Sequence, residues 1–514
     1  MTSPPPSASA AARVARILRS PLTWVVVAFL TVSLFGIVTL PWKGTADAYD
    51  HLDYVFQVWS GHLPQPLGHE WRPAGWVLSE GQLGDGRQFA SAHPPLYYLV
   101  AAAVAGGLLD SDQWRWGVLV LRLLNTAIGL GGVFVLAWAG SVLGGRYARV
   151  LRVALPAAGA FSFCYLRFST DTYNDVPVSV LSMIAVVLGI RLLQVGFTWR
   201  TYLLLVLACT AGMGTKATFA LTLAAACVAV AAGFIIHARS RGLRTWGIAA
   251  ALAGGVAAAP LAAFGWFYLR NIQLSGDWYR SYPKSALGGR SDKSLFDNLR
   301  NPDFYGIVPQ GLIGRGTAAF ASTAELISLV IFVVGAVIGI AVVVRRRKQV
   351  HPTLVGTLVV LMLALHLVGS YVLQLSHATG YGAYNWRYFL PSTITIALLV
   401  IGGAAVLGRA SAWAIPAFTI ALWSINAYSF VIYGVGKGGV DPNLSLPRQA
   451  LGLAEANGFP AIIPALALAV AAVATVLMGV TLRRMLIQPL DEPISPDASE
   501  PSPQSSRPGP ASAA

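Results

Sequence analysis

The chain has 514 residues, of which 55% are hydrophobic and only 11% charged, with a mean hydropathy of +0.62. Soluble globular chains carry roughly 25% charged residues, so the composition excludes a soluble protein and reads as an all-α polytopic membrane protein. The net charge of +15, from 36 Lys and Arg against 21 Asp and Glu, falls largely in short loops between apolar runs, a topology signal. No aromatic-interleaved basic patch points to a nucleic-acid partner.

In chain order, Arg13, Arg16 and Arg19 precede a first apolar run at 21–40. That run is about 20 residues long and lacks an A-x-A cleavage site, so it reads as an uncleaved signal anchor crossing outward. Further spans are predicted at 116–143, 148–168, 176–194, 200–215, 217–237, 245–265, 326–344, 353–374, 391–408, 412–433 and 460–482, about twelve in all. The segment 94–109 is apolar but shorter, about 16 residues, and ends at Asp110, Asp112 and Arg115. Kept as a juxtamembrane helix on the outer face, it leaves the cytoplasmic loops coherently basic. They hold Arg146/Arg149/Arg152, Arg191/Arg200, Arg239/Arg241/Arg244, Arg345–Lys348, Arg409 and Arg483/Arg484. Both termini are then cytoplasmic in a multi-pass protein of the plasma or inner membrane. Residues 1–20 and 485–514 read as disordered tails around one membrane domain at 21–484. Cys164, Cys209 and Cys227 lie in apolar segments and read as small buried hydrophobes.

This parity gathers polar groups outside, in the loops 41–115, 169–175, 266–325 and 379–391. The first loop opens with Asp47, Asp50, His51 and Asp53, three carboxylates and a histidine within seven residues, where the chain leaves the bilayer. A carboxylate there needs a partner or a wet cavity. The cluster reads either as a solvated helix start favourable to the helix dipole or as chemistry; the spacing also leaves a divalent cation open. His93, before Pro94-Pro95, sits at the mouth of a helix start. Asp171 and Asp175 read as helix caps or as site acids. Lys216, in Gly214-Thr215-Lys216, reads as a snorkelling interface residue or a phosphate contact. Arg270 and Arg387 stand beside aromatics, Arg387 next to Tyr388. Each is an interfacial anchor or a bidentate phosphate binder.

Over about residues 20–480 the chain resembles the GT-C superfamily of membrane glycosyltransferases, which includes the protein O-mannosyltransferase, aminoarabinose-transferase and RgtA/B/C/D-like groups. The marks are Asp47-Ala48-Tyr49-Asp50-His51 with Gly61-His62-Leu63-Pro64, His93-Pro94-Pro95-Leu96-Tyr97-Tyr98, Asn174-Asp175, Thr215-Lys216, Leu269-Arg270-Asn271 with Gly276-Asp277, and Arg387-Tyr388-Phe389-Leu390-Pro391. The resemblance implies a GT-C-like bundle with juxtamembrane helices in the first outer loop. It implies a polyprenyl-phosphate-linked sugar donor, a glycan, lipid or protein acceptor, and transfer at the outer face, usually with inversion. Asp47 would be the base and Asp175 the second acid, with Lys216, Arg270 and Arg387, joined by His93, near the donor phosphate. Many relatives carry Asp-Glu where this chain has Asp47-Ala48, so Asp50 or Asp53 supplies the second acid or the site is altered. Two other classes fit an outward polar face: a transporter or flippase for lipid-linked saccharides, and a non-catalytic partner of an envelope complex. The acids lie at span ends, and no internal repeat is visible, which favours the enzyme.

Overall fold

Lipid forces every backbone group of a spanning segment to be satisfied within it, so long apolar runs become helices. The computed structural model describes residues 20–42, 47–73, 88–240, 242–281, 294–313, 337, 354–381, 384–405, 410–438 and 440–487. Its helices begin with α1 (Pro21–Thr39), α2 (Ala48–Trp59), α3 (Leu96–Leu109), α4 (Trp114–Leu143), α5 (Ala148–Gly159), α6 (Phe163–Ser169), α7 (Asp175–Val195), α8 (Trp199–Met213) and α9 (Ala220–His237). They continue with α10 (Leu243–Ser275), α11 (Leu295–Arg300), α12 (Pro302–Ile313), α13 (Leu354–Tyr381), α14 (Thr393–Ala405), α15 (Ser411–Gly438), α16 (Leu446–Ala456) and α17 (Ile462–Ile487). Among the described residues 8 helices are long and apolar enough to cross a membrane, or 9 if the bent pair α5–α6 is one span. The chain is thus an all-α polytopic membrane protein.

The predicted spans fall on these helices with three differences. The run read as one span at 148–168 is two helices meeting at 72°, because Ser162 caps α6, its hydroxyl accepting from the Tyr165 N–H at 3.4 Å. The span read as 245–265 continues to Ser275 and stops where Gly276 takes a positive φ of 75°, so Arg270 lies on a helix and not in a loop. The predicted C-terminal tail begins later than 485, since α17 runs to Ile487. The predicted span 326–344 apart from Val337, the Arg345–Lys348 clamp and the N-terminal tail up to residue 19 lie outside the described residues.

The bundle is built around α7, which packs on α4, α8 and α9. Glycines let its neighbours close in: at Gly129 and Gly132 of α4 a side chain would collide with Ser169 and Tyr165, and the Tyr165 hydroxyl donates to the Gly129 carbonyl at 2.8 Å. α1 runs along α17 and also touches α15 and α4. The first-loop helices α2 and α3 pack on each other and on α4 through Leu52, Tyr54, Tyr98, Ala101 and Leu121, all fully buried.

A helix end leaves carbonyls without partners. At the end of α1 they are taken up from far away in sequence. Arg122 of α4, fully buried, donates to the carbonyls of Ile37, Leu40 and Pro41 at 3.1, 3.0 and 2.7 Å. Its Nε lies 3.7 Å from the Asp171 carboxylate. Asn457, just after α16, adds bonds to the carbonyls of Val38 and Leu40 at 2.8 and 2.9 Å. These bonds fix the root from which the first loop departs and so set where Asp47 stands.

Candidate active site

Asp47 is the N-cap residue of α2, yet its side chain makes no capping bond. An N-cap aspartate ordinarily accepts from the backbone N–H two or three residues on. Here the Asp47 carbonyl starts the helix, accepting from the Asp50 N–H at 3.1 Å. The carboxylate turns instead to Arg387, whose Nη1 lies 3.1 and 2.8 Å from its two oxygens. The solvated-start reading does not hold for the rest of the cluster, because Asp50, His51 and Asp53 are all buried. Ala48, next to Asp47, is sealed in the apolar core.

Arg387 also reaches toward a second carboxylate, with Nη1 3.9 Å from Oδ2 of Asp175. Asp175 opens α7, and its Oδ1 accepts from the Lys216 ammonium at 2.5 Å. The result is an alternating row, Asp47–Arg387–Asp175–Lys216, in which two carboxylates balance two cations. Pairing of this kind is what permits charges at low exposure. Exposure falls along the row: the side chains of Asp47 and Arg387 are 19% and 14% exposed, those of Lys216 and Asp175 3% and 2%.

Each member is held by local backbone chemistry. Lys216 sits in the extended break after α8, where Lys216 N–H returns to the Gly212 carbonyl at 3.0 Å. The Gly214 carbonyl accepts from the Leu96 N–H at 2.9 Å, so the His93-Pro94-Pro95 turn is tied to the lysine's turn. Arg387 rides on a 3-10 turn, Trp386–Ser392, started by the Asn385 side chain. Ser179 of α7 donates to the Leu390 carbonyl of that turn at 2.8 Å.

Histidines and aromatics surround the row. His51 is fully buried; its Nδ1 is 2.8 Å from the Tyr98 hydroxyl, and its ring stacks on His93 at 5.8 Å and meets Tyr173 edge-on at 4.8 Å. Tyr388 lies under the Lys216 ammonium at 6.0 Å and is hydrogen-bonded to His377 at 3.1 Å. Among the described residues, His51 Nε2, Asp175 Oδ2 and Arg387 Nε are buried polar atoms without a hydrogen-bond partner. Burial raises the Asp47 carboxyl, but the charge and hydrogen bond of Arg387, with His51 and Lys216, together outweigh it and hold the group well below the ordinary carboxylate value. Burial pulls the His51 imidazole down to about 4 and takes His93 well below its usual value. Both rings are therefore neutral at physiological pH.

The other predicted site residues fall elsewhere. Asp50 faces His69 Nε2 at 2.6 Å, and burial pushes its carboxyl up to about 6. Asp53 accepts from the Gln57 and Gln88 amides, both at 2.7 Å, and from the Glu70 and Trp71 N–H groups at 2.7 and 2.8 Å. These two acids hold His69–Trp71 and Gln88 against α2 and do not join the row. Arg270, predicted to group with Lys216 and Arg387, lies apart from the row: its guanidinium donates to the carbonyls of Pro64 and Ser91 at 2.6 and 3.4 Å. Asp171 faces Arg122. His69, Gln88, Arg122 and His377 were not singled out by the sequence reading. Of these, Arg122 carried a signal, an arginine inside a predicted span. Among the described residues no group of three or more His, Cys, Asp or Glu side chains is placed to hold a metal ion.

Fold and site together define a polytopic helical membrane protein with a buried, charge-balanced row of acids and bases at one end of its bundle. No protein-family model matches the sequence, and no curated protein does. The chain is similar to the crystal structure of ArnT from Cupriavidus metallidurans in the apo state, with a TM-score of 0.48 and 14% identity over 93% of this chain and 77% of that one. It is likewise similar to the structure of the same protein bound to undecaprenyl phosphate, with a TM-score of 0.47 and 15% identity over the same shares.

Proposed function

We propose that this protein is an integral-membrane glycosyltransferase of the GT-C type. In this reading it moves a sugar from a polyprenyl-phosphate donor to an acceptor hydroxyl at the non-cytoplasmic face, with Asp47 as general base and both termini in the cytoplasm. The observation that carries the reading is the meeting of Asp47, Arg387, Asp175 and Lys216, from four separate segments, in one row.

The charge of the row suits the reaction. The donor is a phosphodiester with one negative charge. As the acceptor oxygen attacks the anomeric carbon, its proton passes to Asp47 and the bond from that carbon to the phosphate oxygen breaks. The released polyprenyl phosphate gains one negative charge as Asp47 loses one, so the total in the site is unchanged. Arg387, paired with Asp47 at rest, is freed by that protonation to follow the charge onto the leaving phosphate, where a bidentate guanidinium is well suited. Lys216, held by Asp175, supplies a second cation from behind. The resting pair also explains how the base stays ionised although it is mostly buried. The greater exposure of Asp47 and Arg387 makes their end of the row the side of substrate entry.

The test is transfer of labelled sugar from polyprenyl-phosphate donor by the purified protein in liposomes. Asp47→Asn lowers the rate by about 10²–10⁴ while the protein still inserts and folds, with a lower melting temperature from the lost ion pair. Unchanged transfer removes Asp47 from the role. Asp175→Asn, made alongside, separates the two carboxylates, because among the described residues Asp175 Oδ2 accepts no hydrogen bond and so is also open to a proton.

A further inference from the structure

The opposite end of the bundle holds a second charged feature, built on a different plan. The loop after α4 leads into α5, and there Arg149 and Arg152 face Arg484 of α17 and the start of α1 across one cavity of about 670 Å³. Its size is in the range of ligand pockets, roughly 300–1,000 Å³. Among the described residues no carboxylate lines it. Three guanidinium groups that share a cavity with no counter-charge among the described residues repel one another, and an anion between them turns that repulsion into attraction. The wall is also part apolar, with Leu22, Val153 and Met485 beside the arginines. A site with arginines on one side and a greasy wall on the other matches a phosphate attached to hydrocarbon better than a free ion. Basic pockets between helices at a membrane face bind anionic lipid headgroups.

We propose that this cavity is a binding site for the phosphodiester headgroup of an anionic glycerophospholipid, held by Arg149, Arg152 and Arg484. It is distinct from the row at Asp47. The cavity meets α1 at Pro21, and the 19 residues of that helix separate it from the first loop by about 28 Å. The occupant ties the root of α5 to the ends of α1 and α17, which are packed against one another.

The test is native mass spectrometry of the delipidated full chain titrated with phosphatidylglycerol or phosphatidylcholine. Phosphatidylglycerol binds more tightly, and salt weakens it. The triple variant Arg149→Gln, Arg152→Gln, Arg484→Gln lowers the apparent affinity by about 100-fold. The control Arg191→Gln, Arg200→Gln, which removes positive charge elsewhere, leaves it within about 2-fold. The proposal is overturned if the triple variant binds as the parent does, if the control loses as much, or if the two lipids bind equally. Displacement of the lipid by excess inorganic phosphate also overturns it, by assigning the cavity to free phosphate. Should the triple variant not fold, the lipid comparison and the phosphate competition on the parent protein still decide. None of these readouts depends on glycosyl transfer.

Discussion

Two arginines in this molecule face an aspartate across a long stretch of sequence, and they are used differently. Arg122 is fully buried and spends its guanidinium on three carbonyls at the end of α1, with Asp171 beside it. Arg387 is 14% exposed and makes its side-chain bonds to a carboxylate. A backbone carbonyl at a helix end has nowhere else to go, so the first arrangement is permanent. A carboxylate can take a proton and let its partner leave, so the second is exchangeable. The contrast teaches that burial and ion pairing alone do not mark a working arginine; what its partners can do next marks it.

Replacing each arginine by methionine breaks the comparison. Arg122→Met strands the α1 carbonyls and the Asp171 charge and is expected to destabilise the protein by about 3–5 kcal/mol, read as a large fall in melting temperature in detergent. Arg387→Met is expected to lower the transfer rate by about 10²–10³ with a smaller fall in melting temperature than Arg122→Met, because Asp47 keeps some contact with water. An equal loss of stability in both variants would erase the distinction. Asn457→Ala tests the root of the loop from the other side. It removes two donors to the α1 carbonyls and should cost about 1–3 kcal/mol, with the surviving folded protein fully active.

The smallest effect is a pH dependence. Asp47 is held below its ordinary value, so its contribution to stability is present above the carboxylate range and lost on acidification through its folded value. Asp50 is raised to about 6 by burial, so its contribution has the opposite sign: present at low pH and lost as pH rises through about 6. Asp50→Asn should flatten the decline in melting temperature between about pH 4 and 7. The acid limb of the transfer rate belonging to Asp47 should lie below about pH 4. A rate that instead fell near pH 6 would move the base to Asp50.

Most of the scaffold could be read from hydropathy because its helices are long apolar runs, as in α1, α4, α7 and α9. What hydropathy could not show is a bend inside an unbroken apolar stretch. The α5–α6 corner depends on one serine hydroxyl among small residues. Nor could it show where α10 ends, since Trp266–Arg270 is as compatible with helix as with loop. The candidate site was legible in its unusual residues: Asp47, Asp175, Lys216 and Arg387 are each a charge at the end of a span, and they meet. Arg270 has the same signature but does not join the row. Its partners are the carbonyls of Pro64 and Ser91, and no side-chain pattern announces a carbonyl acceptor. The His69 partner of Asp50 was hidden for a similar reason, because their approach depends on how a loop folds back onto α2.

Asp47 and its arginine lie 340 positions apart. A chain threaded into the membrane from its N-terminus therefore carries the aspartate at the surface of the bilayer through most of translation, with no guanidinium to neutralise it. Insertion of the Trp386–Ser392 turn is the step that completes the row. Any product truncated before that turn lacks the pair, so the row is completed late in synthesis.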